Sequence, residues 1–178
     1  MHRAVFLDRD GVINAKASEG QYITRWEEFE FHPDAADAIA RLNRAHFSVV
    51  VVTNQRGVAR RLMTIDALEE IHRHMVAQLA ALDARIDAIY YCPHEADASC
   101  ACRKPAPGML LQAATDCGID LHNSWMVGDS DSDILAGKNA GCRTARILRS
   151  GAPPEVVSDL TFHSLNEAVA AIIQMGAI

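Results

Sequence analysis

Four consecutive valines inside Ser48–Thr53 leave a strand no face to turn toward water. A strand apolar on both faces belongs in a sheet covered by helices on each side, the usual setting of parallel strands. Ala4–Leu7 has the same character, and further strands are expected at Ile86–Tyr91, Trp125–Val127 and Thr144–Leu148, with a short one at Leu160–Phe162. Helical spacing lies between them. Pro33–Ala45 repeats Ala36, Ile39, Ala40 and Leu42, and Thr64 opens a helix to about Ala84 with a core face of Leu68, Ile71, Met75, Leu79 and Leu82. Helices also fit Gly108–Cys117, Ser132–Ala140 closed by Gly141, and a last one from the capping box Ser164–Glu167 to Met175. Alternating strands and helices predict an α/β domain spanning 1–178.

Composition narrows the function classes. A chain of 178 residues with 49% apolar and 22% charged content describes a soluble globular protein, and no apolar run approaches a membrane span. The formal charge of −6 argues against a general nucleic-acid binder. The amino-terminal residues lack a signal-peptide pattern, so a cytoplasmic location is expected. Five cysteines without an export signal read as metal ligands or buried thiols, not as a disulfide framework.

Polar signals fall where strands end, the rim at which open α/β sheets bind ligands. Asp8 and Asp10 follow the first strand, Thr53-Asn54 closes the second, Arg103-Lys104-Pro105 precedes a helix, and Gly128–Asp133 follows the fourth. Singly, each has a plain explanation: an Asp-Gly turn, a solvated lysine, an acidic helix start. In this order they fit a site where carboxylates hold a hard cation and a lysine neutralises an anion. Two long segments, Asn14–Phe31 and Cys92–Pro107, exceed a tight connection and are expected to be functional loops. In the second, Cys92-Pro-His94 and Cys100-Ala-Cys102 offer two ligand pairs of equal spacing. Three thiolates and an imidazole make a closed tetrahedral Zn²⁺ site, structural because no coordination position stays open. Cys117 and Cys142 read as core residues at helix ends.

The stretches Phe6–Asn14, Val51–Arg60, Tyr90–His94, Cys100–Pro105 and Val127–Asp129 resemble the haloacid dehalogenase (HAD) superfamily of phosphotransferases, and within it the heptose-bisphosphate and histidinol-phosphate phosphatase family. The resemblance implies a three-layer α/β/α Rossmann-like HAD fold. Asp8 is then the nucleophile that forms an aspartyl-phosphate, and Asp10 the general acid and base. Thr53 and Lys104 grip the transferring group. Mg²⁺ is held by Asp8, the Asp10 carbonyl and Asp129, with Asp133 supporting from behind. The stretches between Asp8, Thr53 and Lys104 are too short for a separate cap, so selectivity falls to loops. Substrate-binding candidates are Ser18, Glu19, Gly20, Tyr22, Asn54, Gln55, Arg56, Arg103 and Ser130. Arg60 and Arg61 read equally as part of a phosphate-binding cluster and as a solvated helix start. Ser130 stands where heptose-bisphosphate phosphatases often carry Lys.

The implied activity is removal of the C7 phosphate of D-glycero-D-manno-heptose 1,7-bisphosphate, a step toward heptose nucleotides for lipopolysaccharide or other surface glycans. The expected partner is the sugar bisphosphate alone, with no nucleic acid or membrane, and a monomer. Histidinol phosphate is the rival substrate. A phospho-accepting receiver module is the rival outside catalysis, but it needs a carboxylate after the third strand, where this chain has Tyr91-Cys92.

Overall fold

The computed structural model describes residues 2–149 and 153–176. Its strands are β1 (Ala4–Leu7), β2 (Ser48–Asn54), β3 (Ala88–Cys92), β4 (Trp125–Gly128), β5 (Arg143–Ile147) and β6 (Leu160–Phe162). They form one six-stranded sheet in the order β3-β2-β1-β4-β5-β6, every pairing parallel. The helices are α1 (Ala35–Arg44), α2 (Arg56–Ala59), α3 (Ile65–Ala80), α4 (Gly108–Cys117), α5 (Asp131–Ala140) and α6 (Leu165–Met175).

Strand periodicity sorts the core into two halves. Val5, Leu7, Val49, Val51 and Val127 face one layer, packed with α1, α3 and α6 residues such as Ile39, Leu42, Ile71, Met75 and Val169. Phe6, Val50, Val52 and Met126 face the other, against Met109, Leu110 and Ala113 of α4 and Ala136 and Ala140 of α5. The result is a three-layer α/β/α fold with no separate cap among the described residues.

Most element boundaries match expectation within two residues, and Thr64 caps α3 by accepting from the Ala67 N–H. Three expectations need correction. The helix from Thr64 stops at Ala80, so Leu82 is not core but 62% exposed. The one further turn of helix to Ala84 would have needed Asp83, which instead adopts φ +59°. The third strand lies two residues later than expected at its start and includes Cys92, whose side chain is buried. Cys142 is buried as expected, whereas Cys117 is only half-buried, with its sulfur 3.9 Å from the Tyr90 hydroxyl. The short helix α2 had no counterpart in the sequence reading.

Strand order reverses between β1 and β4, because the chain leaves β1 for β2 on one side and returns to β4 on the other. At such a switch point the connections diverge and a crevice opens beyond the carboxyl ends of the strands. Asp8, Asp10 and Asp129 stand there.

Candidate active site

Asp8 follows β1 directly, and its N–H bonds to the Val127 carbonyl at 3.0 Å, which stitches the two acidic loops together. Gly11 then turns the chain with φ +95°, and a Cβ there would lie 2.3 Å from Asp129 Oδ2. Only glycine lets the first loop approach the second that closely. Gly128 serves the other side, since its Cβ would lie 2.1 Å from the Asp133 Cβ.

Lys104 joins these loops from the opposite flank. Its side chain is buried, and Nζ reaches Asp8 Oδ1 at 2.9 Å, Asp133 Oδ1 at 2.6 Å and the Val52 carbonyl at 2.8 Å. An ammonium has three donors, and all three find an acceptor. Burial favours the neutral amine, but Asp133 and Asp8 outweigh it and hold the Lys104 pKa above the ordinary lysine value. Asn54 fixes the lysine loop by exchanging two bonds of 3.1 Å with the Lys104 backbone.

Oxygens of Asp8, Asp129 and Asp133 lie within 4.8 Å of one another. Burial first, then the Asp133 charge, push Asp8 up to about 7 despite Lys104, and burial raises Asp129 despite the Lys16 ammonium 2.5 Å from it. Asp133 goes the other way. Burial opposes its charge, yet Lys104 and the Ser130 hydroxyl and N–H, at 2.6 and 3.0 Å, hold it below the usual range. Asp129 Oδ1 is buried without a hydrogen-bond partner. An orphaned carboxylate oxygen beside a second carboxylate whose charge burial and Asp133 disfavour is what a hard divalent cation satisfies, and an all-oxygen donor set suits Mg²⁺.

Asp10 points elsewhere. Its oxygens take Arg9 Nη2 at 3.0 and 3.1 Å, Asn14 Nδ2 at 2.9 Å and Gln55 Nε2 at 2.9 Å. Burial opposes the charge, but Arg9, Asn14 and Gln55 together hold its pKa below the ordinary carboxylate value. Gln55 also donates to Thr53 Oγ1 at 2.8 Å. One amide therefore ties the carboxylate to the threonine.

The expected substrate loops divide. Gln55 is buried and spent on Asp10 and Thr53, Asn54 is spent on the lysine loop, and Ser130 caps α5 by bonding Asp133. All three side chains are thus held by other groups of the protein. Ser18, Glu19 and Gly20 are exposed, while Tyr22 lies against Gly57 with Arg60 over its ring at 5.9 Å. Arg56 and Arg60 converge on Glu95, Arg60 at 3.1 Å, and Arg103 donates to the His94 carbonyl at 3.2 Å. Arg61 is exposed and takes no part in that cluster. Sequence reasoning missed Arg9, Asn14 and Lys16, although the first two lie inside the motif that carried the resemblance.

Cys92, His94, Cys100 and Cys102 come together as a second centre. Cys92 and Cys102 Sγ lie 3.6 and 3.5 Å from Cys100 Sγ, and 3.5 and 3.3 Å from His94 Nδ1. Tetrahedral bonds of zinc length would separate such atoms by roughly 3.5–3.8 Å, so this donor set fits the ion.

An HAD-hydrolase-like family model matches residues 101–168. D-glycero-beta-D-manno-heptose-1,7-bisphosphate 7-phosphatase of Escherichia coli (strain K12) is 40% identical over 95% of this chain and 93% of its own. The Pseudomonas aeruginosa enzyme of that name is 37% identical over 96% and 97%. Among solved structures, D,D-heptose 1,7-bisphosphate phosphatase from B. bronchiseptica, complexed with magnesium and phosphate, matches with a TM-score of 0.87 and 35% identity over 97% of this chain and 99% of that one.

Proposed function

The chain belongs to the HAD superfamily and, within it, to the D-glycero-D-manno-heptose 1,7-bisphosphate phosphatase family, and from that premise we propose that it removes the 7-phosphate of that sugar bisphosphate. It is an enzyme, a phosphoric monoester hydrolase of the Mg²⁺-dependent type. The observation that carries the reading is the meeting of Asp8, Asp129 and Asp133 with the buried Lys104 at the switch point.

Asp8 attacks phosphorus in line, its Oδ–P bond forming as the bond to the sugar oxygen breaks. Asp10 is placed to give a proton to that departing oxygen, and for that it must first take one up against the hold of Arg9, Asn14 and Gln55 on its carboxylate. The resulting Asp10 carboxylate then takes a proton from water, which attacks the aspartyl-phosphate, releases inorganic phosphate and restores Asp8. Lys104 neutralises one carboxylate beside the nucleophile, and Thr53 is held by Gln55 where its hydroxyl can meet a phosphoryl oxygen. Asp8, Asp129 and the Asp10 carbonyl would hold Mg²⁺, which when bound draws charge from the phosphoryl oxygens so that an anion can approach them. Asp133 acts through Lys104 and Ser130 and not on substrate.

Cys92, His94, Cys100 and Cys102 hold a structural zinc that fixes loop 92–107 of a single domain, and so fixes Lys104 two residues after the last ligand. Support comes from the sulfur and nitrogen spacings above and from a donor count of four, the number a structural tetrahedral zinc takes. Ser18–Tyr22, Arg56 and Arg103 are left to contact the sugar and its second phosphate.

Steady-state rates with Mg²⁺ on both anomers of the bisphosphate and on histidinol phosphate test the assignment. The curated relatives carry the β anomer in their names, and kcat/KM is expected to favour that anomer. A preference of about tenfold or more for histidinol phosphate would transfer the chain to the rival substrate.

A further inference from the structure

Arg9 heads the largest side chains that this fold buries completely, yet none of the steps above uses it. A buried guanidinium must find acceptors for its five N–H groups or lose their hydration without return. Its Nε and Nη2 turn to Asp10, at 3.3 Å and at 3.0 and 3.1 Å. Nη1 turns away and lies 3.2 Å from His72 Nε2. The Phe29 ring stands on a further side, its centroid 5.8 Å from Cζ.

His72 sits on the core face of α3, between Ile71 and Met75, where the helical pattern calls for an apolar residue. It is 6% exposed. Burial and the adjacent Arg9 charge hold its pKa down to about 3, so the ring is neutral and its Nε2 lone pair can accept. With that nitrogen accepting, the ring proton resides on Nδ1.

A guanidinium forked onto a carboxylate by one edge can still pivot. The contact at Nη1 removes that freedom, because the plane of the fork is then fixed at two corners. Asn14 and Gln55 hold the two oxygens of Asp10 separately, and neither fixes where the Arg9 plane lies.

We propose that His72 is a positioning residue for proton transfer: by accepting from Arg9 it locks the guanidinium edge that aims the Asp10 carboxyl at the leaving oxygen. The inference rests on the reading of Asp10 as general acid, and it assigns a function to a side chain on a helix remote from every motif.

The leaving group separates this role from a structural one. A sugar alkoxide departs poorly without a proton, whereas p-nitrophenolate departs without one, and kcat/KM reports the steps up to that departure. His72→Gln places an amide oxygen near the Nε2 position, and His72→Asn places one only as far as Nδ1. His72→Asn is expected to lower kcat/KM on the heptose bisphosphate about tenfold more than on p-nitrophenyl phosphate, with His72→Gln within about threefold of wild type on both. Equal losses on the two substrates, or a His72→Gln no better than His72→Asn, would overturn the proposal. Should His72→Asn fold too poorly to assay, His72→Met removes the strong acceptor at similar volume and enters the same comparison. Asp10→Asn serves as the reference. If it shows no greater loss on the sugar ester, the acid role of Asp10 fails, and that result is distinct from a failure at His72.

Discussion

At Lys104 one side chain carries two tasks, because its ammonium stands between Asp8, the proposed nucleophile, and Asp133 behind it. Removing it leaves Asp8 and Asp133 facing each other with their shared counter-charge gone. Lys104→Ala is therefore expected to cost stability, about 3–5 kcal/mol by the usual price of breaking a buried pair, read as a lower denaturant midpoint. Asp8→Asn separates chemistry from folding. The amide keeps the shape and removes the nucleophile, so phosphate release should fall by at least about 10³-fold while circular dichroism stays native. Retained turnover would remove Asp8 from its role. Residues that carry chemistry at a strand end were legible in the sequence, since carboxylates after an apolar run have few other reasons to gather. Arg9 and His72 were not, and Gln55 was read as a substrate contact and not as the tie between Asp10 and Thr53. Buried charges satisfied by residues from the loop after β1, the loop after β2 and α3 have no local signature, and only the fold brings those segments together.

Elements show the same division. The four valines announced β2 because their pattern and their burial express one fact, and the two faces of the sheet then followed from alternation. The end of α3 was obscure, since Leu82 continues a helical period that Asp83 terminates through its left-handed backbone. The cysteine–histidine cluster was legible from its spacing, but not its tie to the sheet, where Cys92 ends β3 and is itself buried. That placement makes the loop an extension of the strand, so loss of a ligand should be felt at Lys104. Cys100→Ala is expected to lose its zinc by metal analysis and to lower Tm by at least about 5 °C. Native protein containing no zinc would end the assignment of this centre.

At the scale of the molecule, the two halves of the sheet are joined by more than the β1–β4 pairing. Asp34, just before α1, accepts from the Leu165 and Asn166 N–H groups at 2.7 and 3.2 Å and pairs with Arg149 at 3.0 Å. A carboxylate from one end of the chain thus caps the first turn of α6 at the other, where the helix dipole favours negative charge. Among the described residues no helix is long and apolar enough to cross a membrane, and α6 buries its apolar face, Leu165, Ala168, Val169 and Ile172, in the shared core. Burial works against the Asp34 charge, but Arg149 and the two N–H groups hold its pKa below the ordinary value of 3.8. A depressed pKa in the folded state means the unfolded chain binds the proton more tightly. The stabilisation is then fully present above the unfolded value and fades as pH falls through the folded one. Asp34→Ala should cost about 1–3 kcal/mol at neutral pH, the worth of charge-assisted bonds on a side chain largely shielded from solvent. The gap between variant and wild type should begin to narrow below about pH 4 and close only as pH falls through the lower folded value, where protonation removes the same interaction from the wild type. Urea midpoints for both proteins across that range measure it. A difference that persists undiminished into acid would mean that packing, and not the carboxylate, joins α6 to the first half of the chain.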